Sequence, residues 1–211
     1  MKNAMVWGSS GAIGSAIINQ LNREGWTTIG LSREASKSLP VAKLEFKVNF
    51  EDMQNLEETS YLISQEVDEV KFWVYAGGDI MYEKVADMTP GNWQSVVDAN
   101  LNNVFSAVHY SLPLLAESAH MFIIGAVSER LRLPGLAAYA ASKAGLEAFV
   151  ETLAKEERKK RVTIVRPGAV TTPFWDKVPL NLPKDAASAE KIAGKIYEAF
   201  LSEHKGKLDL V

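Results

Sequence analysis

The chain contains no cysteine. That excludes disulfides, thiolate nucleophiles and thiolate metal sites together, and the expectation is a reducing, cytoplasmic compartment. Histidine is scarce too. His109, His120 and His204 are scattered without metal-ligand spacing, so no metal site is expected. No run approaches the roughly 20 apolar residues of a membrane helix. Residues 1–7 run into a glycine turn too early to form a signal-peptide core, so no leader is expected. Strong charge of one sign is also lacking. A formal net charge of −3 gives no pull toward nucleic acid or an anionic membrane. The basic run at 155–161 holds Glu156 and Glu157, has no interleaved aromatics and reads as a solvated helix end. Repeats and low-complexity linkers are missing as well.

What is present is an ordinary globular composition. With 211 residues and 47% apolar content, the chain suits one domain with a sizeable core. Short apolar runs alternate with longer amphipathic ones. Strands are expected at 4–7, 27–31, 43–48, 70–75, 120–125, 162–166 and 207–211. Helices are expected at 13–24, 56–65, 92–115, 137–159 and 189–201, with Thr89-Pro90 opening the third. Strands separated by helices pair in parallel through right-handed crossovers. Their nearly uniform apolarity implies helices on both faces. The fold class is therefore α/β: a Rossmann-type, doubly wound parallel sheet in a three-layer α/β/α sandwich. Ligands of such sheets bind outside the carboxyl ends of the strands.

Gly8, Gly11 and Gly14 lie between the first strand and the first helix. Glycine allows a tight turn and close backbone approach to a phosphate, and the following helix points its positive end at a pyrophosphate. The second strand ends Gly30-Leu31-Ser32-Arg33. A small uncharged Ser32 followed by a phosphate-pairing Arg33 favours NADP(H) over NAD(H). Glu34 beside them reads as a solvated carboxylate.

Tyr139 and Lys143 stand four residues apart, which on a helix places both on one face. A free phenol has a pKa of about 10, and a neighbouring ammonium is expected to lower it, making a proton donor. Asn100 falls inside a helix, where it either serves this site or satisfies backbone at a bend.

These motifs together resemble the short-chain dehydrogenase/reductase family over almost the whole chain. The resemblance rests on the glycine turn, Ala76-Gly77-Gly78 after the fourth strand, Asn100, the Tyr139/Lys143 pair, and the run from Pro167 and Gly168 to Val170 and Thr172. It implies one NAD(P)-binding domain over residues 1–211, with a short substrate lid around 173–187. Tyr139 is then the general acid for carbonyl reduction, or the base for alcohol oxidation. Lys143 tunes it and holds the nicotinamide ribose, and Asn100 holds a water in a proton relay. Cofactor contacts are implied for Gly8, Ser10, Gly11, Ile13, Gly14, Ser32, Arg33, Ala76, Gly77, Gly78, Asn100, Tyr139, Lys143, Pro167, Gly168, Val170 and Thr172. Asn49 and Phe50 take the place of an aspartate and an apolar residue around the adenine.

The departures are informative. The family's usual serine, thirteen residues before the tyrosine, is Ala126 here, and alanine has no donor. Ser128 is the candidate substitute, since two residues along an extended segment return to the same face. The three glycines are spaced by two and two residues, Trp7 precedes the first of them, and Tyr75 precedes Ala76. The lid carries Phe174, Trp175, Val178, Leu180 and Leu182, which suggests a small or apolar substrate. The expected partner is a small-molecule carbonyl or alcohol, with no nucleic acid and no membrane. A homodimer or homotetramer is implied through the helices at 92–115 and 137–159, with Ala99, Val104, Ala107, Ala144, Ala148 and Leu153 supplying apolar surface. Two function classes stay open: an NADPH-dependent carbonyl reductase, and a dinucleotide-binding sensor or interaction module whose catalytic apparatus has decayed.

Overall fold

Alternating side chains on the strands set up the two buried faces of the sheet. In strand β1 (Asn3–Trp7), Ala4 and Val6 point to one face and Met5 and Trp7 to the other, and all four are buried. The computed structural model describes residues 2–34 and 42–210. The strands after β1 are β2 (Thr27–Ser32), β3 (Leu44–Lys47), β4 (Val70–Tyr75), β5 (Leu115–Ile124), β6 (Arg161–Pro167), the short β7 (Val170–Thr171) and β8 (Ala187–Ser188), and β9 (Gly206–Leu210). The helices are α1 (Ala12–Arg23), α2 (Met53–Glu66), α3 (Pro90–Val97), α4 (Asn103–Ser111), α5 (Ala137–Glu156) and α6 (Ala189–Leu201). Seven strands form one parallel sheet in the order β3-β2-β1-β4-β5-β6-β9. The order reverses between β1 and β4, and that switch point opens a crevice at the carboxyl end of the sheet.

Each face of the sheet has its own core. Met5, Trp73 and Ile123 pack with Leu56 of α2, Val104 of α4 and Leu146 of α5. Val6, Phe72 and Val74 pack with Ile17 of α1 and Ile196 of α6. Burying each such side chain stabilises the fold by about 1.5–3 kcal/mol. A third, smaller cluster gathers at the carboxyl edge: Ile80, Val96, Leu136, Ala138 and Tyr139, covered by Phe174, Val178 and Leu180.

Local signals set most helix ends. Asp52 caps α2 by accepting from the Asn55 N–H at 3.1 Å. Thr89 caps α3 through the Asn92 N–H at 3.1 Å, with Pro90 in the first turn. Ser188 caps α6 through the Lys191 N–H at 3.2 Å. Two expectations need correction. The helix expected at 92–115 is broken by a π turn at Asp98–Asn102, and its last residue, Leu115, already opens β5. The β7–β8 pair, which closes the base of the 173–187 segment, was not expected. Residue 211 of the expected final strand lies outside the described residues.

His120 of β5 is fully buried, stacked 4.0 Å from Phe122. Its Nε2 lies 2.9 Å from the Thr163 hydroxyl, which itself donates to the His204 carbonyl. Thr163 must therefore accept from Nε2–H, and Nδ1 keeps a lone pair with no partner among the described residues. Desolvation, helped by Arg161, pushes the His120 pKa down to about 3. The unfolded chain binds this proton below about pH 6.5 and the native state does not, so acid favours unfolding. Stability should fall as pH drops from about 6.5 toward 3. In His120→Leu the slope of unfolding free energy over that window should be shallower by about 1.4 kcal/mol per pH unit, read from urea titrations. Equal slopes would remove His120 from the acid limb.

Candidate functional site

The turn between β1 and α1 depends on two glycines for steric reasons. Gly8 has φ +78°, and a Cβ there would sit 2.6 Å from the Gly77 backbone nitrogen. A Cβ on Gly14 would collide with the Gly8 carbonyl. Gly11 is different: its own Cβ would meet only the Gly8 oxygen, at 3.4 Å. Space is therefore open on the outer side of the turn. The Gly8 and Ser9 N–H groups bond to the Leu31 carbonyl, and Gly11 N–H to that of Gly8. The N–H groups of Ser10, Ala12 and Ile13 have no partner among the described residues, and α1 starts here with its positive end outward. This arrangement fits an anionic diphosphate.

A cleft of about 710 Å³ continues from the turn. Ser10, Gly11, Ser32, Arg33, Phe50 and Gly78 are among the residues lining it, as the sequence anticipates, together with Glu34. Lys47 also lines it and was missed. Parallel pairing sets Lys47 of β3 directly beside Ser32 of β2, a neighbourhood visible only once strand register is known. Ser32 donates to the Glu34 carbonyl, which shapes the loop after β2. Asn49 is occupied in a local turn: its side chain accepts from the Glu51 N–H at 3.1 Å, and its own N–H donates to Asn55. Tyr75 lies under the next turn, where a Cβ on Gly77 would come within 2.9 Å of its ring and hydroxyl. The Tyr75 hydroxyl donates to the Ala99 carbonyl at 3.2 Å, and burial raises its pKa. Trp7 turns into the core, where its indole N–H donates to Ser111 at 3.0 Å.

Next to the cleft residue Gly78 the π turn places Asn100, fully buried, against the loop after β4. Its amide donates to the Asp79 carbonyl at 2.6 Å and the Val96 carbonyl at 2.8 Å, and its oxygen accepts from the Asp79 N–H at 3.3 Å. Lys143 of α5 is buried beside it. A Cβ on Gly78 would lie 2.9 Å from the Asn100 oxygen and 3.7 Å from Lys143 Nζ, so Gly78 is the gap between the two side chains. Among the described residues the ammonium has one acceptor, the Ile124 carbonyl at 3.1 Å, and desolvation pushes its pKa down to about 8. It stands 5.8 Å from the centroid of the Tyr139 ring, consistent with their i,i+4 spacing. The Tyr139 hydroxyl has no hydrogen-bond partner among the described residues. Its pKa is raised by burial, the reverse of the lowering expected from Lys143. At this separation, and without other charges, desolvation is the larger effect.

Ser128 does not face this pair as a free hydroxyl. It donates to Glu147 at 3.1 Å, inside an ionic group built on Arg166. Arg166 reaches Glu147 at 3.2 Å, Glu129 at 3.0 Å and Asp209 at 2.7 Å, and Lys207 pairs with Glu147. Burial pushes the Glu147 carboxyl up, but Lys207, Ser128 and Arg166 outweigh it and hold the pKa below its usual value. The Ser128 hydroxyl is thus placed by charges on α5, β6 and β9, none of them near it in sequence.

The segment after β7 folds over Tyr139. Phe174 lies 5.7 Å from the Tyr139 ring, Trp175 donates its indole N–H to the Val170 carbonyl at 2.9 Å, and Thr172 reaches the same carbonyl at 3.5 Å. Lys177 closes an ion pair with Asp79 at 2.6 Å. Pro167 ends β6, and the Gly168 N–H donates to Leu210 of β9. Of the residues expected to supply apolar surface for a second subunit, Val104, Ala107 and Leu153 are buried in this chain's own core. Ala144 and Ala148 are exposed, as is Phe105 of α4. No group of metal-binding side chains occurs among the described residues, and no described helix is long and apolar enough to cross a membrane.

The sequence matches a family model described as short chain dehydrogenase over residues 2–182. One curated relative is an uncharacterized oxidoreductase of Staphylococcus aureus (strain MW2), 29% identical over 81% of this chain and 79% of its own. Another is a 3-oxoacyl-(acyl-carrier-protein) reductase of Thermotoga maritima, 27% identical over 89% of this chain and 81% of its own. The fold superposes on ligand-free aldohexose dehydrogenase from Thermoplasma acidophilum with a TM-score of 0.87 at 19% identity, over 99% of this chain and 91% of that one. The match over residues 2–182, on a parallel sheet with a glycine turn beside a cleft at its switch point, shows that the chain belongs to the short-chain dehydrogenase family of NAD(P)-dependent oxidoreductases.

Proposed function

We propose that the protein reduces a small carbonyl substrate with NADPH, Tyr139 acting as the general acid, and also catalyses the reverse oxidation. The observation that carries this reading is the buried Tyr139 hydroxyl, without a hydrogen-bond partner among the described residues, on one helix with the Lys143 ammonium, which lies next to the cleft residue Gly78. The bound dinucleotide supplies the hydride. The raised phenol pKa keeps Tyr139 protonated at neutral pH, which suits a donor. Once the proton is given up, Lys143 is the cation that stabilises the phenolate. Asn100 works by position in this reading. Its amide is spent on Asp79 and Val96, so it holds the Gly78 loop beside Lys143, a different task from the water relay suggested by the sequence. Ser128 belongs to the scaffold through Glu147.

NADP(H) is favoured by two cations on the cleft wall, Arg33 and Lys47, around the small Ser32. A second subunit would pack on the outer faces of α4 and α5, where Phe105, Ala144 and Ala148 are exposed. The missing donor at Ala126 supports one competing reading, a sensor that binds the cofactor without turning substrate over.

Three measurements test these assignments. Tyr139→Phe should lose about 10²–10⁴ in kcat/KM for NADPH-dependent carbonyl reduction while still binding NADPH. Binding without turnover in the unaltered protein would favour the sensor. For reduction, kcat/KM at subsaturating cofactor should decline above about pH 8 as Lys143 loses its proton. A flat profile to pH 10 would exclude Lys143 as the needed cation. Replacing Arg33 and Lys47 together with alanine should weaken NADPH binding about 10–100-fold and leave NADH nearly unchanged, by fluorescence titration. Equal losses for both cofactors would refute the 2′-phosphate assignment.

A further inference from the structure

The substrate side of Tyr139 has two properties that together narrow what it can accept. The side chains packed around the Tyr139 ring are apolar: Ile80, Met81 and Leu136, with Phe174, Val178 and Leu180 from the segment after β7. Several polar side chains near these segments are already committed within the protein. Asn100 is held by Asp79 and Val96, and Asp79 by Lys177. Ser128 is bonded to Glu147, and the Trp175 indole to Val170. Ala126 lies two residues beyond Ile124, whose carbonyl anchors Lys143, and it offers no donor. A charged or hydroxyl-rich substrate would lose water here and regain few hydrogen bonds, which is unfavourable. In the reductase reading Tyr139 is the donor to the carbonyl oxygen, and position 126 adds none.

Resting on the reductase reading above, we infer that the substrate is an uncharged, apolar carbonyl compound activated by its own substituents, the chemical class of aryl 1,2-diketones. In the step, the carbonyl carbon accepts a hydride and the C=O π pair moves onto oxygen, which takes the Tyr139 proton. The carbonyl becomes an alcohol and the reduced dinucleotide is oxidised. A second hydrogen-bond donor would normally stabilise the charge growing on that oxygen, and losing one such donor costs about 10²–10³ in turnover in other enzymes. An adjacent electron-withdrawing carbonyl does this work from within the substrate. Ala126 is then a specificity-determining residue: it excludes unactivated ketones by supplying nothing.

The test uses the full chain with NADPH and four compounds: methyl phenyl diketone, propiophenone, phenylglyoxylate and glucose. The diketone should exceed propiophenone (apolar, unactivated) and phenylglyoxylate (activated, charged) by at least about hundredfold in kcat/KM, with no turnover of glucose. Ala126→Ser should raise the rate on propiophenone more than on the diketone, narrowing their ratio about tenfold or more. A wild-type preference for glucose or phenylglyoxylate overturns the inference. So does equal use of the two ketones, a ratio unmoved by a folded Ala126→Ser protein, or no NADPH oxidation with any of the four. The selectivity of the unaltered protein decides the matter if that variant does not fold. Tyr139→Phe reducing the diketone at the wild-type rate would strike the acid assignment and leave the substrate class standing.

Discussion

A lysine ammonium buried in the protein is the constraint on which this site depends. Lys143 is sunk at the carboxyl edge of the sheet, and among the described residues the Ile124 carbonyl alone accepts from it. An ammonium taken out of water is costly, and the fall of its pKa to about 8 expresses that cost. The surroundings limit it in two ways. Gly78 leaves room for the ammonium next to the Asn100 oxygen. Asn100 in turn can stand there because the π turn interrupts the helix between α3 and α4. π turns inside helices often mark functional sites, and this one ties the β4 loop to the lysine. The site is thus a place where fold stability is given up locally to keep a cation close to a phenol.

Closure over that pair is also structural. The segment after β7 packs Phe174 near Tyr139 and is held by Lys177 on Asp79, the residue whose backbone Asn100 holds. The Lys177–Asp79 pair is partly exposed, so it contributes little to stability and is screened by salt. Its role is better seen as geometric: it joins the lid to the loop that also positions Lys143.

Much of this was legible in the sequence, and the parts that were not share a cause. Helix α6 carries a Ser cap and a sustained amphipathic pattern, and its limits match those read from sequence. β4 is likewise read correctly from its apolar run between Glu69 and Ala76. The π turn was invisible because one extra residue in a turn scarcely disturbs apolar periodicity. The start of β5 was misread because Leu114, Leu115 and Ala116 fit a helix as well as a strand. Lys47 and Ser128 fail for a different reason. Lys47 enters the cleft through strand register, and Ser128 is turned by Glu147, 19 residues away. Which partner a hydroxyl chooses depends on charges brought together by the fold, and local spacing does not encode it.

The ionic group around Arg166 shows how far that dependence extends. The family likeness covers residues 2–182, yet Lys207 and Asp209 of β9 lie beyond it. They grip Glu147 and Arg166, one turn below Lys143 on α5 and one residue before Pro167 on β6. Glu129 and Asp209 are about half exposed, so their pairs with Arg166 are weak. The Arg166–Glu147 pair is the well-shielded one, and a hydrogen bond to a charged group there is worth about 1.5–3 kcal/mol. Glu147 in turn accepts from Ser128, and Glu129 reaches the same arginine, so the group ties down the loop between β5 and α5. The edge strand β9 therefore does more than complete the sheet. By supplying charges to Arg166 and Glu147, it helps hold the Ser128 hydroxyl on Glu147.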